Sequence, residues 1–388
     1  MGTFGIIVKN TVLSQYLFLY LKTGGGHLAP AKAVAEKIKA KRKSEVEIIL
    51  VDGLSESNIL VRKIIEDGYK NAINKAVWTF EFLYALHKIN IVAKLTASIV
   101  SRFVKPGIER QILNTLPKKI VVFHFFLIKP VFEIIRDHNL NIPVITVVTD
   151  PFTAHPIWFL EKDQNYVVFS DTLKEKCIEK GINENRLHVF PFVLDSRFSQ
   201  KVSNHKMLRI RKKLGFESDS KIILIMGGGD GMPHGKKILK KILKRNISAE
   251  IAIVCGKNEK LFAKAMKLKN EHNINNLKVY EYVDFVHSLV SISEVVITKC
   301  GASTFMEILM MGKVPVINNY IWEQEKGNME YVCEGNMGIL EKNTSSLPGV
   351  LQKLLTDNEF YNSIRHNIKN ASIRNGVGPV SDYILKFQ

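Results

Sequence analysis

The chain has 388 residues, 46% hydrophobic and 24% charged, which suits a globular protein of two domains and excludes extended disorder. Its formal net charge is +18, shared as +7 over residues 1–195 and +11 over 196–388, so anionic partners such as phosphorylated substrates and lipid headgroups are favoured. Four scattered cysteines with no C-x-x-C pair exclude a zinc or redox motif of that kind, and no apolar run reaches the roughly 18 residues of a membrane-spanning helix.

The apolar start, Met1–Leu21, lacks a basic n-region and a small-residue cleavage site and does not read as a signal peptide. Tyr16–Leu21 is a strand candidate that runs into Gly24-Gly25-Gly26-His27, after which Ala31–Lys43 reads as a helix and Val46–Val51 as a second strand. Residues 56–115 carry helical but no strand signals. Short apolar runs follow at Ile120–Phe126, Pro143–Thr149, Tyr166–Phe169 and Leu187–Pro191. The polar stretch Asp195–Ser220 reads as a linker. Beyond it, Lys221–Met226 is a strand, Gly227–Gly231 a loop and Lys236–Lys244 a helix, with further strands at Ile251–Cys255, Lys278–Tyr282, Val295–Thr298 and Val314–Ile317. Apolar strands alternating with helices predict two doubly wound α/β domains, each opening with strand, glycine loop and helix and facing the other across a cleft. The expected boundaries are 1–196, 197–375, and a tail 376–388 that crosses back onto the first domain.

Glycines between a strand and a helix let the backbone approach a ligand, and the helix start offers free N–H groups to phosphate. Gly24–Ala29 also fits G-x-G-x-x-A, with Asp52 placed as a ribose acceptor, so a dinucleotide oxidoreductase is one reading. The Gly227–Gly231 loop repeats the device without the G-K-[ST] of a Walker loop. No D-x-D occurs, so a metal-bridged diphosphate of that type is not expected and the diphosphate would be met by N–H groups and helix dipoles. Near the C-terminus, Gly301-Ala302-Ser303-Thr304 leads from a strand into a helix carrying Glu307, a carboxylate suited to a ribose diol. Gln324 and Glu325 open the next helix, where they could hold sugar hydroxyls.

The ordered set of motifs resembles the monogalactosyldiacylglycerol synthase and processive diacylglycerol glycosyltransferase family, a glycosyltransferase family 28-like group. It comprises Gly24–His27, Thr149-Asp150 with His155–Phe159, Met226–Met232, Val254–Asn258, Ile297–Lys299 with Gly301 and Thr304, and Gln324–Asn328. The resemblance implies a GT-B fold and an inverting transfer of glucose or galactose from a UDP-sugar to a lipid hydroxyl, of diacylglycerol or a sterol, at the cytoplasmic face of a membrane. No cofactor, metal or nucleic acid is expected. Carried onto this chain, it places the donor among Gly25, Gly26, Gly228, Gly229, Tyr282, Val283, Gly301, Ser303, Thr304, Glu307, Gln324, Glu325 and Asn328. Inversion needs a base for the acceptor hydroxyl. His27, Asp150 and His155 are the candidates, with His27 favoured by its place in the glycine loop, while His124, in a run of Phe, reads as a core residue.

Residues 56–115 mix apolar positions, among them Trp78, Phe80, Leu83, Ile91 and Leu95, with Lys70, Lys75, Lys88, Lys94, Arg102, Lys105 and Arg110. A basic amphipathic segment of this kind suits lying on an anionic membrane. A UDP-sugar 2-epimerase of the same fold, and a transferase acting on a polyprenyl-linked acceptor, are the alternatives.

Overall fold

A computed structural model describes residues 13–22, 25–43, 45–56, 62 and 84–388. They form two six-stranded sheets, with strand order β2-β1-β3-β4-β5-β6 in the first half and β12-β11-β10-β7-β8-β9 in the second. In the first sheet β1 is Ser14–Tyr20, β2 Val46–Asp52, β3 Lys119–Val122, β4 Val144–Val147, β5 Asn165–Val168 and β6 Leu187–Val189. In the second, β7 is Ile222–Met226, β8 Glu250–Val254, β9 Leu277–Tyr280, β10 Val295–Lys299, β11 Val314–Asn319 and β12 Ile339–Leu340. Every pairing is parallel, and β7 and β8 are buried along their whole length, as expected of strands covered on both faces.

The strand orders fix where a ligand can sit. In the first sheet the chain winds outward in both directions from the β1–β3 pair, in the second from the β7–β10 pair. At such a switch point the loops leaving adjacent strands part in opposite directions and open a crevice at the carboxyl ends. The helix start Gly25-Gly26-His27 and the segment Phe123-His124 lie at the first switch point. Gly227–Gly231 and Gly301–Thr304 lie at the second.

The first helix spans Gly25–Arg42 and not Ala31–Lys43, so His27 sits in its opening turn. Residues 123–126 leave the strand path. His124 Nδ1 accepts the Phe126 N–H (3.2 Å), which turns Phe125–Leu127 into a 3₁₀ segment. The Asp195–Ser220 stretch holds a helix, Asn204–Leu214, capped by Ser203 and packed on the helix Val286–Ile292. The final helix, Val377–Lys386, packs along Gly25–Arg42 in the first half. Asn375 anchors its start by donating to the Leu194 carbonyl (2.9 Å) and accepting the Leu194 N–H (3.0 Å). The buried Lys119 ammonium donates to the Ile384 (2.8 Å) and Leu385 (3.0 Å) carbonyls, complementing the negative end of that helix. Among the described residues, no helix is long and apolar enough to cross a membrane.

Candidate active site

The two crevices face each other and merge into one cleft of about 1760 Å³, larger than a site for one small ligand. Its first wall is the opening of the helix Gly25–Arg42. His27 is buried there, its Nδ1 2.7 Å from Thr149 Oγ1 at the end of β4, and its ring lies 4.3 Å from that of His124. Burial lowers the His27 pKa to about 4, with a small opposing pull from the Phe123 carbonyl. The imidazole is therefore neutral at physiological pH.

Asp150, the next residue, accepts a hydrogen bond from Trp158 Nε1 (2.9 Å). Burial raises its pKa to about 6 against the pull of the Trp158 and Gln324 hydrogen bonds. The bond to Gln324 crosses from one half of the molecule to the other. So does a second link, in which Thr153 Oγ1 donates to the Gln324 carbonyl (2.9 Å). Beside it Phe152 stacks on Tyr331 at 4.4 Å. Gly327 makes this contact possible, because a Cβ there would stand 2.8 Å from Phe152 Cβ and 3.0 Å from Thr153 Cγ2. Gly327→Ala is therefore expected to push the halves apart and raise the KM for the donor about tenfold, while urea unfolding shows a loss of about 1–3 kcal/mol. An unchanged KM would mean that the cleft does not depend on this seam.

The second wall is built on β7, β10 and β11. The Gly227–Gly231 loop turns through left-handed backbone at Gly228 (φ +78°) and Gly231 (φ +74°), and a Cβ on Gly231 would meet the Cys255 carbonyl at 2.4 Å. The helix Ala302–Met310 starts at Gly301 without a side-chain cap, so its first N–H groups are open to the cleft. Within its first turn the Ser303 hydroxyl is buried and without a partner, and so is Asn328 Oδ1 nearby, while Asn328 Nδ2 donates to the Cys300 carbonyl (2.9 Å). Glu325 is buried, accepts the Ile321 N–H (2.8 Å) and lies 3.5 Å from Lys299 Nζ. Glu307 is half-buried one turn deeper. Desolvation raises its pKa to about 8, with Asp195 adding to the shift and Arg197 opposing it. Tyr282 and Val283 line the far end.

The cleft thus brings together His27, Asp150 and all the residues expected at the UDP-sugar donor, but not His155. That ring is buried away from the cleft, stacked on Phe125 at 4.8 Å and in edge contact with Tyr84 at 5.0 Å. Its Nδ1 accepts the Ile157 N–H (3.3 Å), and burial holds its pKa near 3. The dinucleotide reading also loses its ribose acceptor. Asp52 is buried outside the cleft, bonded to the Leu54 N–H (3.2 Å) with Lys22 Nζ 3.6 Å away. Gly24 lies outside the described residues. Reading the sequence missed Thr149 as the partner of His27. It also missed the Asp195–Arg197 pair, which ties the segment joining the sheets to the Asp284 carbonyl (3.0 Å) beside Glu307. Among the described residues, no group of three or more His, Cys, Asp and Glu side chains could hold a metal ion.

Comparison with known proteins agrees with this geometry. The model of the monogalactosyldiacylglycerol (MGDG) synthase family matches residues 27–192, and that of the glycosyltransferase family 28 C-terminal domain matches 222–375. The chain thus resembles the MGDG synthase family over its first half and glycosyltransferase family 28 over its second. A processive diacylglycerol beta-glucosyltransferase of Bacillus pumilus is 27% identical over 375 residues, covering 96% of this chain and 94% of the relative. A probable chloroplastic monogalactosyldiacylglycerol synthase of Nicotiana tabacum is 24% identical over 353 residues, covering 89% of this chain and 65% of the relative. Among solved structures, Acinetobacter baumannii MurG matches at a TM-score of 0.58 and 14% identity, covering 96% of this chain and 100% of that one. MnaA of S. aureus with UDP matches at 0.61 and 12% identity, covering 96% and 95%. At these identities the two structures establish the GT-B fold shared by both.

Proposed function

We propose that the protein is an inverting glycosyltransferase that moves glucose or galactose from a UDP-sugar to the hydroxyl of a membrane lipid, with diacylglycerol the favoured acceptor and a sterol the alternative. The observation that carries the donor half of this reading is the uncapped start of the helix Ala302–Met310, with the Ser303 hydroxyl and Asn328 Oδ1, two buried and unpartnered atoms, on residues lining the same cleft. Buried polar atoms cost stability unless something pairs with them. A diphosphate on the N–H groups and Ser303, with a sugar hydroxyl donating to Asn328, pairs them all. Glu307 then receives the ribose, Gln324 and Glu325 hold the sugar, and Tyr282-Val283 receives the base.

The acceptor oxygen would approach the sugar C1 from the side of the first wall. In the tautomer whose Nδ1–H donates a hydrogen bond to Thr149 Oγ1, His27 Nε2 carries the lone pair and takes the acceptor proton. The new C1–O bond forms as the bond to the β-phosphate oxygen breaks, and UDP leaves onto the helix start. Negative charge on the bound donor raises the basicity of His27 from its value in the empty cleft. His155, outside the cleft, acts in this reading only by holding the Tyr84 and Phe125 rings behind the site.

The lipid would arrive over the helix Asn90–Thr115. Its inner face buries Ala93, Ala97, Val104, Ile108 and Ile112, while Ile91 (77% exposed), Leu95 (59%) and Ile99 (52%) form an outward stripe four residues apart. Exposed Lys94 and Arg102 flank the stripe, and the Lys88–Glu323 ion pair (2.9 Å) ties the start of this segment to the cleft loop after β11. Trp78, Phe80, Leu83 and the lysines at 70 and 75 lie outside the described residues. Replacing Ile91, Leu95 and Ile99 together by Gln is expected to weaken binding to phospholipid vesicles about tenfold without altering UDP affinity. Equal sedimentation of parent and variant would remove the stripe from the membrane contact. We place the protein peripherally, at the cytoplasmic face.

The deciding experiment supplies radiolabelled UDP-glucose or UDP-galactose with diacylglycerol vesicles. Label extracted into the organic phase as a β-glycoside supports the reading. Release of a free epimer with no lipid product would assign the chain to the epimerases that share its fold.

A further inference from the structure

The basic charge of the second half is concentrated on one surface. The helix Gly235–Lys244, which follows the Gly227–Gly231 loop, reads GKKILKKILK and buries Ile238, Leu239 and Ile242. Its five lysines therefore share the opposite face. The helix Glu259–Glu271 packs against it and adds the exposed Lys260 and Lys264, with the exposed Lys257 in the preceding loop. All eight line the cleft, and the acidic cleft-lining side chains within the same stretch, 230–264, are Asp230 and Glu259. The lysine ion pairs of this half join Lys267 to Glu271, Lys278 to Glu250, Lys299 to Glu325 and Lys326 to Glu330, leaving the eight unpaired among the described residues.

Like charges four residues apart destabilise a helix, so this arrangement carries a standing cost that an anionic partner relieves. The donor is not that partner. In the reading proposed above its diphosphate is met by the helix start at Ala302 and the Gly227–Gly229 loop, and it carries far less charge than eight lysines. The lysine face runs the length of a ten-residue helix, about 15 Å, longer than a single diphosphate. The helix carries no aromatic side chain on which a nucleic-acid base could stack.

We propose that this lysine wall is a second membrane contact, formed by the C-terminal half, which binds the anionic phospholipid surface and draws the mouth of the cleft onto the bilayer. The inference rests on the lipid-acceptor reading and adds to the apolar stripe of the first half a purely electrostatic contact on the second. Clusters of this size on one helix face are what anionic leaflets attract.

The test uses the full chain and vesicles of phosphatidylcholine, alone or with about 30% phosphatidylglycerol. The variant K237Q/K240Q/K241Q/K244Q keeps good helix formers at three exposed positions and one half-buried one, and the same four changes to Arg keep the charge. The parent is expected to sediment with the anionic vesicles and to be released as salt rises. The Gln variant should lose at least about tenfold in affinity for anionic vesicles only, the Arg variant should bind as the parent does, and transfer in non-ionic detergent micelles should stay within about twofold for all three. Anionic-vesicle binding by the Gln variant equal to the parent's would overturn the inference. So would loss of binding to a single-stranded DNA oligonucleotide with vesicle binding intact, which would make the wall a nucleic-acid surface. Absence of transfer by the parent in micelles would instead strike at the glycosyltransferase reading, and the vesicle result would still decide the lysine wall.

Discussion

Replacing His27 by Ala is expected to lower kcat by about 10²–10⁴ while leaving the Kd for UDP, measured calorimetrically, unchanged. The split follows from position. His27 stands on the first wall, held by Thr149 at 2.7 Å, while the groups assigned to UDP stand on the second. Thr149→Val should give a smaller loss in kcat, because it removes the partner that fixes the ring and its tautomer without removing the imidazole. If His27→Ala weakened UDP binding as much as it slowed turnover, the ring would be a phosphate contact and the base would have to be sought at Asp150. A second consequence concerns stability. Burial holds His27 near pKa 4 and His155 near 3, against 6.5 for an unperturbed ring. Below pH 6.5 the unfolded chain binds protons that the fold refuses, so stability falls as pH drops from 6.5 toward 4. Urea midpoints measured across that window should show a shallower slope for His27→Ala than for the parent.

The fold was legible because its strands are continuous apolar runs, and each glycine loop sits directly after one of them. The same chemistry hid some boundaries. Gly25 and Gly26 have poor helix propensity, yet the helix begins on them, because at a first turn the absence of a Cβ leaves the N–H groups open to the cleft. The helix Asn204–Leu214 carried a legible signal, Ser203 capping the Lys206 N–H, but its basic, weakly apolar sequence read as linker. Of the site, most residues lining the second wall could be placed from the sequence, since they follow β7, β9, β10 and β11 at short range, but the Asp195–Arg197 pair could not. The first wall was less legible. Nothing in the sequence pairs Thr149 with His27 across 122 positions. The spacing of His155 from Asp150 suggests a shared site, whereas Pro156 starts a 3₁₀ turn that carries the ring to the far side. The lysine wall was invisible for another reason. With lysine common throughout the chain, only the packing of two helices shows that eight of them gather in one place.

Glu307 is expected to give the second large effect, and its sign can be worked out in advance. Free, it holds its proton up to a pKa of about 8, because the carboxylate is poorly solvated and Asp195 stands close. A ribose diol offers two O–H donors and so binds the ionised form best. Donor binding must therefore lower this pKa and, at pH 7, release a proton. Calorimetric titration of UDP at pH 7 in buffers of different ionisation enthalpy should detect that proton, and the donor KM should fall as pH rises from 6.5 to about 8.5. Glu307→Ala should raise the donor KM by about 10–100-fold with kcat affected less. Glu307→Gln should abolish proton release and flatten the pH dependence of KM. Its folding behaviour should run the other way. An ordinary Glu loses its proton near 4.5 in the unfolded chain but near 8 in this fold, so the parent loses stability as pH rises between those values. Glu307→Gln, which has no charge to bury, should be the more stable protein at pH 8 by about 2 kcal/mol, a figure kept small because the side chain borders the open cleft. Donor binding without proton release at pH 7, together with equal stability of parent and Glu307→Gln at pH 8, would show that this carboxyl is already ionised in the free protein and would remove it as the ribose acceptor proposed for the cleft.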